Sequence, residues 1–241
     1  MSSPMRYVNG ITNVASENVF GQFPQPDPTK VFGYFNDFFQ YSATDWVLST
    51  IEAGAGSATE AISDTETGGV LLITNDAADG DHDNFQLSHD GGTNDSESFL
   101  FTAGKKAWFK ARLKTSDADK VHVFIGLHIT NADPVNAAPT DGLYFELTAG
   151  VLSCVMRKNA VSSSEILTPT PALADGTFFT VGYHWDGVNT LYVYVNDIEV
   201  TTIGSTNLPN DEYLAVSFGV ENEEAVAKTL SVDYIGVWME R

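Results

Sequence analysis

Four aspartates crowd into Asp76-Ala-Ala-Asp-Gly-Asp-His-Asp83. Calcium takes six to eight hard oxygens, and Asp76, Asp79, Asp81 and Asp83 offer several within one short stretch. The spacing is not that of an EF-hand, because no glycine is followed by a distal glutamate at the last loop position. A solvated acidic turn is the alternative reading; no other cofactor is expected. A second set is aromatic. Trp108, Phe124, Tyr144, His184, Tyr192 and Tyr194 all fall at outward positions of alternating segments, where together they would pave a face on which sugar rings stack. Packing under loops or against a partner subunit is the alternative. The histidines do not make a zinc site: His122 and His128 lie about 20 Å apart on one extended segment, and His82, His89 and His184 lack ligand spacing. Cys154, the one cysteine, excludes an intramolecular disulfide and sits in the apolar run Val151-Leu-Ser-Cys-Val-Met156, as a buried inert thiol would. No Gly-x-Ser-x-Gly elbow marks a nucleophile.

The elements that must carry these residues read as strands. Short apolar or alternating runs recur between Gly, Asp, Asn, Thr and Pro clusters, at 31–39, 46–51, 70–74, 85–89, 108–114, 121–129, 143–147, 152–157, 178–186, 191–196, 198–203, 213–220 and 230–239. No window has a helical period. Strands in this number predict an all-β, two-sheet antiparallel β-sandwich of jelly-roll type over residues 31–241, with no internal repeat or second-domain linker. Alternation assigns the faces. Phe109, Ala111 and Leu113 point inward, against Trp108, Lys110, Arg112 and Lys114; Leu143, Phe145 and Leu147 point inward, against Tyr144 and Glu146.

Charge narrows the function. Among 241 residues, 12 Lys+Arg stand against 32 Asp+Glu, a net charge of −20. Such a field repels phosphate, so nucleic acid is not an expected partner. No apolar run is long enough for a membrane span, and the first residues lack the apolar core of a secretory signal. Residues 31–104 hold thirteen acids and no Lys or Arg, whereas Lys105, Lys106, Lys110, Arg112, Lys114 and Lys120 follow within sixteen positions. That cluster is either a solvated face or a basic stripe that meets an acidic neighbour, for instance region 52–97 of a second copy. Residues 1–30 are neutral and carry Pro4, Pro24, Pro26 and Pro28 with sparse apolar residues: Tyr7, Val8, Ile11, Val14, Val19, Phe20 and Phe23. Such a segment cannot close a core alone and reads as an extended arm that docks on a surface.

Several segments together resemble concanavalin A-like jelly rolls of the legume-lectin and laminarinase type, and among them structural proteins of tailed-phage virions. These are Phe35-Asn-Asp-Phe-Phe39 with Asp45-Trp46, Gly68-Gly-Val-Leu-Leu-Ile-Thr74, Lys106-Ala-Trp-Phe-Lys-Ala-Arg-Leu-Lys114, Asp141-Gly-Leu-Tyr-Phe145, Leu191-Tyr-Val-Tyr-Val-Asn196 and Val232-Asp-Tyr-Ile-Gly-Val-Trp-Met-Glu-Arg241. The resemblance implies a concave sheet of six or seven strands packed on a convex one, with the first and last strands side by side. It also implies a capsid decoration (cement) protein made in the host cytoplasm and located on the virion, whose arm contacts the major capsid protein and neighbouring copies. A carbohydrate-binding module or adhesin that takes a surface glycan is the alternative, and a diverged glycoside hydrolase the third reading. Retaining hydrolases of this fold need carboxylates about 5–5.5 Å apart, in a Glu-x-Asp-x-x-Glu run. None occurs: Glu146 is the only acid of its strand, Asp197 and Glu199 straddle a turn, and Asp233 shares the face of Ile235 and Val237. The Arg, Gln-x-His and Tyr groupings of the lyase variant are missing too. The chain is therefore expected not to be an enzyme.

Overall fold

A computed structural model describes residues 29–169 and 172–241. Among the described residues, fifteen strands build two antiparallel sheets. The first holds β13 (Ile198–Gly204), β12 (Thr190–Val195), β11 (Phe179–Trp185), β6 (Ala107–Thr115), β15 (Thr229–Glu240), β4 (Leu71–Thr74) and β3 (Thr59–Ile62) in that order, with β1 (Val31–Asn36) also paired to β15. The second runs β10 (Val161–Ile166), β9 (Val151–Lys158), β8 (Gly142–Thr148), β7 (Val121–His128), β14 (Ala215–Asn222), β5 (His82–Leu87) and β2 (Trp46–Ile51). The all-β sandwich is as expected, and so is the pairing of first and last strands.

Strict alternation makes the core. In β6, Ala107, Phe109, Ala111 and Leu113 are buried between the sheets while Trp108, Lys110, Arg112 and Lys114 are half-buried on the outer face. Phe109 stacks on Phe145 and Tyr183, and Trp46, Phe38, Phe85 and Phe218 form a second aromatic group between the layers. Cys154 lies fully buried in this core, and burial pushes its thiol well up, so it is inert as expected. Three hairpins turn on residue pairs with positive φ: Ala149-Gly150, Asn159-Ala160 and Asn196-Asp197. Two central residues of that kind match the twist of the flanking strands.

Three sequence expectations move. The strands β3 and β10 are additional; both are sheet edges of polar composition, Thr-Glu-Ala-Ile and Val-Ser-Ser-Ser-Glu-Ile, without an apolar run to announce them. The strand expected at 85–89 begins at His82, so Asp83 belongs to β5 and not to a loop. Finally, β15 carries a bulge between Val232 and Tyr234. The extra residue is Asp233, which leaves the face of Ile235 and Val237 and pairs with outward-facing Arg112.

The outer faces of the sheets differ. Across the second sheet lies the 129–141 segment. Gln86 Nε2 donates to the Ile129 carbonyl, Asn84 Nδ2 donates to the Asn131 carbonyl (2.7 Å), and Asn131 N–H donates to Gln86 Oε1 (2.9 Å). His82, beneath, lies 3.4 Å from both Asp133 of the segment and Glu221 of β14. Among the described residues no such roof lies over β12, β11, β6 and β15 of the first sheet, where the outer side chains are half-buried.

Candidate functional site

That unroofed face carries a row of rings. Register places Trp238 of β15 opposite Trp108 of β6, Trp108 opposite His184 of β11, and His184 opposite Tyr192 of β12. Trp108 and His184 stack with centroids 5.3 Å apart, His184 and Tyr192 with centroids 5.8 Å apart. Phe35 of β1 extends the row, stacked on Trp238 at 6.2 Å and 56% exposed, with Tyr234 beside it. The row forms because four neighbouring strands place an aromatic or imidazole residue at one register level, and cross-strand neighbours sit within ring contact.

Glycine lets Trp238 lie low. A Cβ on Gly236 would come within 2.2 Å of the end of the indole, and one on Gly33 within 2.7 Å of its near edge. The ring rests on bare backbone of β15 and β1, which turns its other face outward.

Next to the row is a trough of about 440 Å³, walled by Trp108, His184, Tyr194 and Trp238 and floored by Gly182. Its polar edge is the Lys110–Asp197 ion pair, Nζ to Oδ1 2.5 Å. Burial lowers the Lys110 pKa, but Asp197 and Tyr234 outweigh it and the net shift is upward, so the ammonium stays charged. Burial and the nearby charge of Lys106 lower the His184 pKa, so the imidazole in the stack is neutral at pH 7. A half-apolar, half-wet platform of this kind offers ring faces to a flat, hydroxylated ligand and hydrogen bonds at its edge.

Of the six aromatics expected on one face, Trp108, His184, Tyr192 and Tyr194 meet there. Phe124 and Tyr144 do not. They lie on the outer face of the second sheet, 2% and 5% exposed, packed with Val155 and Val135 beneath the 129–141 segment. Alternation correctly turns them away from the core but does not say which sheet they belong to or what covers it. Phe35, Tyr234 and Trp238 were missed, although the same alternation through Val232–Met239 marks Tyr234 and Trp238 as outward.

The three outward cations that β6 contributes to the basic stripe are neutralised within the chain. Lys110 pairs with Asp197, Arg112 with Asp233 and Lys114 with Glu66. These three acids belong to the same chain, and Arg112 also stacks 4.0 Å over Phe178. Just after β1, burial and then the charge of Asp233 raise the pKa of Asp37.

The four aspartates separate. Asp76 and Asp81 converge with Glu52, at the end of β2, so that one oxygen from each lies within 4.8 Å of the others. Asp79 is exposed and outside the group. Asp83 turns to Thr50 and accepts its hydroxyl proton; burial above all raises its pKa to about 6. Nothing in the sequence near Glu52 advertised its part in the cluster. The expected arm contacts Tyr7, Val8, Ile11, Val14, Val19, Phe20 and Phe23 lie outside the described residues.

No protein-family model matches the chain, and no curated protein matches it in sequence. Among solved structures it is similar to the GH16 of the Bacteroides ovatus mixed linkage glucan PUL in complex with a G4G4G3G product: TM-score 0.59, 13% identity, over 85% of this chain and 99% of that one. A native glycosidic hydrolase is similar at TM-score 0.55 and 14% identity, over 85% and 94% of the two chains. The endo-beta-1,4-glucuronan lyase from the fungus Trichoderma reesei is similar at TM-score 0.52 and 9% identity, also over 85% and 94%. What these likenesses share with the chain is a fold, the GH16-type, concanavalin A-like jelly roll. They also correct the expectation that the chain is not an enzyme, since a hydrolase and a lyase have this sandwich over most of its length. The physical reason is that a Glu-x-Asp-x-x-Glu run records only acids on one strand, whereas acids from separate strands are placed by the closing of the sheets and leave no local pattern.

Proposed function

We propose that the chain binds a polysaccharide or surface glycan along the unroofed face of its eight-stranded sheet. The supporting observation is the register-matched row Trp238, Trp108, His184 and Tyr192 beside a trough edged by Lys110 and Asp197. Sugar rings stack on the aromatic faces, and their hydroxyls reach Lys110, Asp197 and Tyr194. The ligand is neutral or weakly charged, because Lys110, Arg112 and Lys114, the outward cations of β6, each already have a carboxylate partner. The name of one similar structure, which speaks of a mixed linkage glucan, agrees with this class of ligand. The capsid-decoration expectation draws on the virion resemblance and on an arm at residues 1–30, nearly all outside the described residues, acting with one sandwich face; the aromatic row favours the glycan reading of that face.

A second reading adds turnover. Burial and then the charge of Asp233 raise the proton affinity of Asp37, while Asp233 is itself paired with Arg112. Two carboxyls in unequal environments are the pattern of acid–base cleavage at a glycosidic bond.

One experiment tests both. The purified chain is titrated by calorimetry with oligosaccharides selected on a glycan array, and the same mixtures are analysed for cleavage. Binding is expected, with Trp108→Ala weakening it about tenfold, the worth of one stacked ring. Cleavage that Asp37→Asn removes while binding survives supports the second reading. Equal affinity of the wild type and of the Trp108→Ala and Tyr192→Ala variants, or silence across the array, overturns the first.

A further inference from the structure

At the far edge of the second sheet, three carboxylates meet without a cation to balance them. Glu52 follows β2, and Asp76 and Asp81 lie in the β4–β5 connection; one oxygen from each falls within 4.8 Å of the others. Residues 31–104 contain no Lys or Arg, and among the described residues no ion pair reaches any of the three.

The way each carboxylate is held is informative. One oxygen of each accepts a backbone N–H: Asp81 Oδ1 from Ala53 (2.5 Å), Glu52 Oε1 from Ala58 (2.9 Å) and Asp76 Oδ1 from Ala77 (2.6 Å). The second oxygen is left over. Asp81 is 1% exposed, yet its Oδ2 has no hydrogen-bond partner, and Glu52 Oε2 is likewise shut from solvent without one. A buried, unpartnered carboxylate oxygen is costly, and three facing like charges add to that cost. The surrounding chain enforces the arrangement. Asn222 Nδ2 donates to the carbonyls of Asp76 and Ala78, and Asn75 Nδ2 donates to the carbonyl of Asp81, so the connection is clamped from both sides. Gly56 makes room for Asp76, since a Cβ there would fall 1.8 Å from Oδ2.

We infer that Glu52, Asp76 and Asp81 form a site for a calcium-class divalent cation. Three carboxylates, each anchored by one backbone N–H and together bringing hard oxygens within 4.8 Å of one another, satisfy the preference of such ions for preset oxygen ligands, and waters fill the remaining positions. The bound ion neutralises the facing charges and joins the end of β2 to the β4–β5 connection, so it stabilises the sandwich at the edge remote from the glycan face.

The test uses the full chain, dialysed against chelator and then titrated with calcium chloride by calorimetry and thermal melting. One ion per chain is expected. Tm is expected to rise by about 5 °C once calcium exceeds its dissociation constant a hundredfold, and magnesium at equal concentration to act far more weakly. Asp81→Asn and Glu52→Gln each abolish the calcium response, whereas Asp79→Asn, outside the cluster, keeps it. No heat and no melting shift up to 5 mM calcium in the wild type overturns the site, and so does a calcium response that survives in both Asp81→Asn and Glu52→Gln.

Discussion

The outer faces of the two sheets begin from the same sequence rule and end differently. Both present aromatic residues opposite a buried set: Trp108 and Tyr192 on the eight-stranded sheet, Phe124 and Tyr144 on the seven-stranded one. On the second sheet a connecting segment closes over the rings, which then become a small satellite core with Val155 and Val135. On the first the rings remain at the surface in a stacked row. An outward aromatic is therefore a structural residue or a binding residue depending on whether a loop reaches it. The largest expected effect breaks or upholds this division. Phe124→Ala should cost about 3–5 kcal/mol of stability in urea unfolding, as for a core ring, although it does not face the sandwich interior. Trp108→Ala should cost about 1 kcal/mol or less while losing glycan affinity. If the two variants unfold at the same urea concentration, the faces are not distinct.

The two histidines sharpen the comparison through pH. His128, on the roofed face, is fully buried against Phe124 and Tyr144, with Nδ1 2.6 Å from the Ile129 carbonyl. Burial lowers its pKa to about 4, against a smaller opposing effect of that carbonyl. The unfolded chain takes up a proton near pH 6.5 that the folded chain refuses until about pH 4. Stability is thus full above pH 6.5 and falls as the pH drops through this window, by about 3 kcal/mol from this one group. His184, on the open face, shifts in the same direction but is only half-buried, and its contribution should be a fraction of that. Chemical unfolding between pH 4 and 7 in wild type, His128→Gln and His184→Gln checks it. The first variant should flatten the slope and the second barely change it; the reverse order would contradict the burial assigned to the two faces.

How far the sequence carried is clear from individual residues. The alternation in Trp108–Lys114 and Leu191–Val195 announced both the strands and the faces, because one buried side and one wet side leave a period of two. The polar edges β3 and β10 left no such trace, since an edge strand need not bury a face. Asp233 was misplaced because parity counting assumes an unbroken ladder, and one bulge in β15 reverses it. Phe124 and Tyr144 were grouped with the wrong sheet because the roof over them is made by residues 129–141, whose contacts are long-range and carry no local pattern. The acidic cluster was half legible: Asp76 and Asp81 stood in a visible acidic run, while Glu52 reaches them only through the pairing of β2 with β5. Strand periodicity is a local quantity. A site assembled from several strands depends on which strands become neighbours, and that is decided by the closing of the whole sandwich.

The smallest expected effect concerns the platform itself. Gly236→Ala adds one methyl on the open face at a residue whose φ lies outside the left-handed region, so the backbone accepts it without strain. The methyl meets the far end of the Trp238 indole, 2.2 Å from Cη2, and the ring must lift from the sheet. Stability should change by about 1 kcal/mol or less, because a half-exposed ring moves into solvent and no buried group is displaced. Glycan affinity should fall a few-fold, less than on removal of a ring, since the indole persists but no longer lies flat on the sheet. Indole emission should shift to longer wavelength as the face resting on Gly33 and Gly236 becomes wet. An unchanged affinity together with a shifted emission would remove Trp238 from the binding row and confine the site to Trp108, His184, Tyr192 and Tyr194.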